Sequence, residues 1–542
     1  MRKIEDYDLI IRNGTIYDGS GDPPFIGNIA IKNDLITAIG SLKRVTSKLD
    51  IDATNLAVAP GFINMLSWAV ESLIEDGRSY SDIIQGVTLE VFGEGWSWGP
   101  LNDPMKQEMI ERQADIKYDI TWTTLAEYLD FLEAKGISPN IASFVGATTV
   151  RIHELGYEDR KPTLEEMEKM KDLVDKAMRE GALGVASALI YPPAFYADTN
   201  ELIELCKVAA KYDGLYISHL RSEGSQLHEA IDEFLTIASK ANIRAEIYHF
   251  KATGKNQYKL DSAIQKLDKA RNEGLQITTD CYTYTAGATG LNSVIPPWAH
   301  EGGHKELINR LQTPKIRTQI IEEALTPTDE WENLYLESGP DKILLVSFKS
   351  EKLKALTGKT LTQVSEERGQ PPLEVAMDLI IEDDSRIGTV YFMMSEENVK
   401  KKIQIPYMAF GSDGGSIAPE GVFLKSNPHP RSYGNVARLL GKYCRDEKLI
   451  TLEEAVRKLT SLPANTLKIK NRGALKEGYF ADIVVFDPLK IKDNATYEHP
   501  HQLASGMVHV FVNGVQVLKD SKHTNATPGR VIKGPGWKEA TS

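Results

Sequence analysis

Apolar and polar residues alternate with period two over roughly the first fifty positions, in Tyr7-Asp-Leu-Ile-Ile-Arg-Asn-Gly14, Gly27-Asn-Ile-Ala-Ile-Lys-Asn-Asp34 and Leu35-Ile-Thr-Ala-Ile-Gly40. Such alternation broken by Asn-Gly and Asn-Asp predicts short antiparallel strands. The same pattern returns near the other end, in Asp482-Ile-Val-Val-Phe-Asp487 and Val508-His-Val-Phe-Val-Asn-Gly-Val515. One small β-sandwich domain assembled from both ends is therefore expected, from residues 1–57 and 471–542.

Between these ends, short apolar runs take turns with amphipathic stretches that carry helix-start signals. Thr163-Leu-Glu-Glu166 and Thr451-Leu-Glu-Glu454 both read as capping boxes, in which a hydroxyl and a carboxylate satisfy free amides at a helix N-terminus. The apolar runs predict strands ending at Ile63, Phe92, Gly146, Leu189, Ser218, Tyr248, Thr279 and Gly411. Strands spaced by helices in this way predict an α/β fold, a (β/α)8 TIM barrel over residues 58–470, with function at the C-terminal strand ends. The stretch at about 285–347 is too long for a barrel loop and reads as an insertion. Its Trp298 and His300 have two readings, facing a substrate under a lid or anchoring the insertion to the rim.

Composition narrows the class. The 542 residues exceed one ordinary domain, and a hydrophobic share of 42% is enough for a sizeable core. A net charge of −13, spread along the chain, disfavours nucleic acid and anionic membrane as partners. No run approaches the ~20 apolar residues of a spanning helix. The first residues run straight into a strand-like stretch with no apolar signal core. Cys206, Cys281 and Cys444 lie far apart and form no CxxC pair. That usage indicates neither a disulfide framework nor a cysteine zinc site and suits the cytoplasm. The subunit count is left open, with a homo-oligomer among the options.

The chemistry concentrates at predicted strand ends. His219 closes the fifth in Leu215-Tyr-Ile-Ser-His219, and His249 closes the sixth in Ala245-Glu-Ile-Tyr-His249. One histidine after an apolar run is more often packed than ligating, but two on neighbouring ends facing one mouth can share an ion, and neutral imidazole suits zinc. Glu94 leaves the second strand, either as a third ligand or as the partner of a cation. Asp413 ends the eighth strand in Gly411-Ser-Asp-Gly414, where a carboxylate can shuttle a proton, although Asp-Gly marks turns everywhere. Arg221, Lys251, Tyr282 and Arg431 stand near these ends and can bind a substrate carboxylate or pair with rim acids.

Taken in order, Ala59-Pro-Gly-Phe-Ile63, Gly86-Val-Thr88, Gly181-Ala-Leu-Gly-Val185, Tyr216-Ile-Ser-His-Leu-Arg-Ser-Glu223, His249-Phe-Lys251, Tyr282-Thr-Tyr-Thr-Ala-Gly287, His429-Pro-Arg-Ser-Tyr-Gly434 and Ala481-Asp-Ile-Val-Val-Phe-Asp487 resemble the N-acyl-D-amino-acid deacylase (D-aminoacylase) family of the amidohydrolase superfamily. The resemblance covers nearly the whole chain. It implies His219 and His249 as zinc ligands, Asp413 as general acid/base, and Lys251, Tyr282 and Arg431 as substrate-side groups.

Three departures stand out. The first-strand histidine pair of that family is replaced by Leu66 and Trp68, and the first histidine anywhere is His153. The family's Gly-Asn-Cys-Gly reads Gly93-Glu-Gly-Trp-Ser-Trp98, and a Gly-His after the third strand reads Gly146-Ala147. With the histidine pair gone, one metal ion is expected in place of two, held by Glu94, His219 and His249. A carboxylate in place of a thiolate admits manganese or another divalent ion besides zinc. Trp96 and Trp98 beside Glu94 point to bulky or aromatic substrate groups.

The resulting expectation is a metal-dependent amidohydrolase acting on small N-acyl amino acids of possible D configuration. Two alternatives stand beside it, a hydrolase of a cyclic amide, lactone or dipeptide, and a non-catalytic binding protein on the same fold.

Overall fold

The computed structural model describes residues 7–42 and 45–538. The N-terminal alternation forms β1 (Tyr7–Ile16), β2 (Phe25–Lys32), β3 (Leu35–Gly40), β4 (Ser47–Asp52) and β5 (Ala57–Pro60). The chain then enters parallel strands β6 (Phe62–Asn64), β7 (Val87–Phe92), β8 (Asn140–Ser143), β9 (Val145–Gly146), β10 (Gly184–Ala188), β11 (Leu215–His219), β12 (Arg244–Ile247) and β13 (Ile277–Cys281). After an inserted sheet of β14 (Ala286–Gly290), β15 (Ile343–Ser347) and β16 (Gly388–Phe392), it returns in β17 (Met408–Phe410) and ends with β18 (Ile483–Phe486), β19 (Met507–Val512), β20 (Val515–Lys519) and β21 (Lys522–His523).

Both ends share one sheet. Its order is β21-β20-β19-β18-β5-β1-β2-β3, with β4 on β1, and the join is the antiparallel pairing of β18 with β5. The turn between β19 and β20 is Asn513-Gly514, both with positive φ, the conformation that a two-residue hairpin of native twist requires.

The parallel strands pair in two runs, β6-β7-β8 and β9-β10-β11-β12-β13-β17. Only Phe144 separates β8 from β9, and Met65 N–H donates to the Phe410 carbonyl, linking β6 to β17. The predicted strand ends lie at or beside the ends of these strands, except Thr279, which falls two residues before the end of β13. Ile63, Leu66, Leu89, Val91, Phe144, Ile217 and Tyr248 form one apolar cluster that the strands enclose. The strands are buried along nearly their whole length, as parallel strands covered on both faces must be.

Of the two predicted capping boxes, one is complete. Thr163 and Glu166 bond reciprocally at the start of the helix Leu164–Glu180. At Thr451 the hydroxyl accepts from Glu454 N–H, but the Glu454 carboxylate turns to Arg457, at 2.7 and 2.8 Å. A charge-assisted pair with a guanidinium has displaced the reciprocal bond.

The segment predicted as an insertion, about 285–347, holds β14 and β15, and their antiparallel sheet is completed by β16, which lies between them. The inserted region runs on past residue 347 through β16, and its own apolar cluster extends from Leu291 to Met393. Its cations reach the segment that follows β7, with Lys305 on Glu111 at 3.3 Å and Lys354 on Asp115 at 2.5 Å. No helix among the described residues is long and apolar enough to cross a membrane.

Candidate metal centre

Glu94 leaves β7 between two glycines in left-handed conformations, Gly93 at φ +110° and Gly95 at φ +67°. A Cβ on Gly93 would stand 2.5 Å from the Phe144 carbonyl oxygen, so no other residue fits there without displacing the neighbouring strand. The turn aims the Glu94 carboxylate at the ends of β11 and β12. Glu94 Oε1 lies 2.7 Å from His249 Nε2 and 3.1 Å from His219 Nδ1. All three side chains are buried, and their ligating atoms fall within 4.8 Å of one another.

The far nitrogens of both imidazoles face a second carboxylate, Glu223. His249 Nδ1 lies 3.1 Å from Glu223 Oε1, and His219 Nε2 lies 3.5 Å from Oε2. Lys251 Nζ donates to Glu223 Oε1 at 2.6 Å and to the His249 carbonyl at 3.1 Å, and it stands 2.7 Å from His249 Nδ1. This outer layer turns one nitrogen of each ring toward Glu94, the arrangement that orients imidazole ligands of a metal. His249 is further held by its own N–H, which donates to Asp280 Oδ1 at 2.9 Å.

The electrostatics ask for a positive charge at this point. Burial alone would raise the Glu94 carboxyl, but His249 and His219 outweigh it and hold Glu94 well below the usual carboxylate range. Burial and Lys251 disfavour a charged His249, yet Glu94 and Glu223 push it up to about 9. Burial lowers His219. A proton shared here or a divalent cation meets the same demand. Two imidazoles and a carboxylate, with the opposite ring nitrogens supported, form a donor set that fits zinc or a similar ion.

Asp413 sits in the turn after β17 at φ +49°, and its N–H donates to the Leu66 carbonyl at 2.8 Å. Its Oδ2 lies 2.9 Å from Arg431 Nη1, and the Arg431 guanidinium stacks 4.6 Å above the Tyr282 ring. Burial raises Asp413 against the opposing pull of Arg431. These residues line a cavity of about 730 Å³ with Glu94, His219, His249, Lys251 and Tyr282.

Arg221 is not part of this cavity. The chain leaves β11 at His219, and Arg221 turns onto Glu233 at 2.7 and 2.9 Å and onto the Phe195 and Ala197 carbonyls. All its donors face protein partners, so the expectation that it binds substrate is replaced by a structural role. Lys251 and Arg431 do line the cavity, but Glu223 and Asp413 engage them. In the insertion, Trp298 Nε1 donates to Glu323 at 2.6 Å, a bond made within the insertion itself, and Trp298 is not among the residues that line the cavity. His300 lines the cavity, and burial pushes it down to about 4.

Two features of the cavity escape the sequence reading. Glu223 stands four residues after His219 in a segment already singled out, and that spacing was its signal. Arg386 lies in Glu382-Asp-Asp-Ser-Arg386, which reads as a solvated charged turn. Its side chain opens into the cavity. Its Nη2 donates to Thr289 Oγ1 at 3.2 Å, and the guanidinium lies 5.7 Å from the Tyr191 ring. No acid within ion-pair distance accompanies it among the described residues.

A model of the amidohydrolase family matches residues 51–518. D-aminoacylase of Alcaligenes xylosoxydans xylosoxydans is 31% identical over 97% of this chain and 98% of its own length. The structure of N-acyl-D-glutamate deacylase from Bordetella bronchiseptica, complexed with zinc and a phosphonate mimic of the tetrahedral intermediate, matches with a TM-score of 0.81 and 28% identity. It covers 98% of this chain and all of that one. A D-aminoacylase structure, described for a binuclear metal centre with one-metal activation and second-metal attenuation, matches with a TM-score of 0.80 and 28% identity over 97% of this chain and all of that one. These neighbours give the architecture as a TIM barrel with an extra domain. The family model over residues 51–518 and the relative that is 31% identical over nearly the whole chain show that the chain belongs to the amidohydrolase family.

Proposed function

We propose that this protein is a metal-dependent hydrolase that cleaves the amide C–N bond of N-acyl amino acids of D configuration, using one divalent ion held by Glu94, His219 and His249. The observation that carries the reading is a convergence in one cavity of this donor set, the Asp413 carboxylate and the uncommitted Arg386. The acyl-D-amino-acid substrates of the relatives support it. The scaffold we infer is a (β/α)8 barrel over about 58–470, carrying the inserted sheet, beside a small β-sandwich formed by residues 1–57 and 471–542. The buried, unpaired cysteines suit a cytoplasmic enzyme of small molecules.

Glu94, His219 and His249 would hold zinc, or manganese given the hard carboxylate donor, and the bound ion would supply Lewis acidity toward the scissile carbonyl and a nucleophilic water at neutral pH. Asp413, drawn toward its protonated form by burial, accepts the proton of the attacking water and returns it to the leaving nitrogen. Arg431 fixes the carboxylate for both transfers. Glu223 and Lys251 keep the His219 and His249 rings aimed. Arg386 holds the substrate carboxylate, with Thr289 and Tyr191 beside it. Trp68, Trp96, Trp98, Met105, Met109 and Tyr118 line the same cavity and favour bulky or aromatic groups over small ones.

The test is a panel of N-acyl-D- and N-acyl-L-amino acids on the zinc-loaded protein, with chiral separation of the released amino acid. Hydrolysis of the D series, faster for aromatic than for acetyl groups, is expected. Cleavage of cyclic amides with no turnover of any N-acyl amino acid would contradict the reading. Arg386→Ala is expected to lower kcat/KM for these acids by about 10–100-fold, the worth of a charged hydrogen-bonded contact. Carboxamide analogues without the carboxylate should lose far less.

A further inference from the structure

Only one oxygen of the Glu94 carboxylate faces the imidazoles. The other, Oε2, accepts a hydrogen bond from Trp68 Nε1 at 3.0 Å. Trp68 is itself fixed from two sides. Its backbone N–H donates to the Gly414 carbonyl at 2.9 Å, beside Asp413, and the preceding Ser67 N–H donates to Val91 of β7 at 2.8 Å. Two positions earlier, Leu66 is fully buried inside the barrel, and a Cβ on Gly411 would come within 2.8 Å of its own Cβ. Among the described residues, Glu94, His219 and His249 form the one group of three or more histidine, cysteine or acidic side chains close enough to hold a metal.

We propose that Trp68 is a positioning residue that commits Glu94 to a single ion through a single oxygen. The inference rests on the reading of Glu94, His219 and His249 as the metal site. An indole N–H donates and never accepts, so with Trp68 in place one lone pair of Oε2 is committed to the indole, and that bond holds the carboxylate against rotating to offer both oxygens to the first ion or Oε2 to a second. The neighbouring Leu66 supplies no ligand either. The indole thus does for the carboxylate what Glu223 does for the rings, and the chain loads one ion even in metal excess.

The test titrates the metal-free protein with cobalt(II), whose visible bands report coordination number, and follows affinity by chelator competition. The wild type should saturate at one ion, with a spectrum unchanged in large excess. Trp68→Phe keeps a ring in place but removes the N–H. It should bind cobalt about 10–100-fold more weakly, the usual loss when the hydrogen-bond partner of a ligand is removed. Its bands should weaken as the freed carboxylate adds its second oxygen, while the thermal midpoint of the metal-free protein stays at the wild-type value. A measurement on the wild-type side chain covers the case in which that variant fails to fold. By ¹⁵N NMR, the Trp68 indole N–H should be among those protected from exchange, and one protected indole signal should become labile in Glu94→Ala.

Wild-type affinity and spectrum in Trp68→Phe, with cobalt binding lost in Glu94→Ala, would overturn the role of Trp68 and leave the metal site standing. A second ion in the wild type, or an indole N–H no less protected in Glu94→Ala, would also overturn it. Unchanged cobalt binding in Glu94→Ala would instead remove the site reading itself.

Discussion

Asp413→Asn is expected to lower kcat about 10²–10⁴-fold, the range that a positioned acid/base group contributes, while KM changes little and metal remains bound. Asparagine nearly matches the shape of aspartate and keeps an oxygen for Arg431, which lies 2.9 Å from the native carboxylate. It cannot take a proton from water or return one to the leaving nitrogen. Asp413 is outside the three-residue donor set, so a loss of turnover with metal retained separates proton transfer from metal binding. The pH profile carries a second signature. Burial raises Asp413, so its basic form is lost as pH falls through a value above the ordinary carboxylate range. The corresponding acidic limb of the wild-type rate should vanish in the variant. Full turnover in Asp413→Asn would remove the assigned role.

The second large effect is at Glu94. Its Oε1 lies 2.7 Å from His249 Nε2 and 3.1 Å from His219 Nδ1, and Glu94→Ala removes the only anionic donor of the set. Metal affinity should fall by more than the roughly 10–100-fold that loss of an outer partner costs, and activity should follow unless metal is supplied in excess. Glu94→Cys is the informative companion, because a thiolate is softer than a carboxylate. It should hold zinc and lose its tolerance of manganese. Dialysis against graded chelator, followed by elemental analysis, checks both variants.

What the sequence disclosed follows from where its signals lie. Glu94, His219, His249 and Asp413 each end an apolar run, and the end of a parallel strand places such a side chain at the mouth of a barrel. The two β-rich ends announced themselves by period two and by Asn-Gly turns. Arg386 was hidden because its environment comes from the approach of the inserted sheet, with Thr289, to the segment after β10, with Tyr191, which no local pattern encodes. Arg221 misled for a related reason: proximity to His219 in sequence does not fix direction once the strand has ended. The absence of histidines at Leu66 and Trp68 was plain to read, but the bond from the Trp68 indole to Glu94 depends on how β6 and β7 are set side by side, and only the fold supplies it.

The central claim is one ion held by Glu94, His219 and His249, and metal content per chain tests it most directly. Elemental analysis of the wild type and of His219→Ala, purified in parallel and exposed to zinc, is expected to give about one ion per chain in the wild type and none in the variant. Two ions in the wild type, an equal content in His219→Ala, or no uptake of zinc, manganese or cobalt by either protein would contradict it.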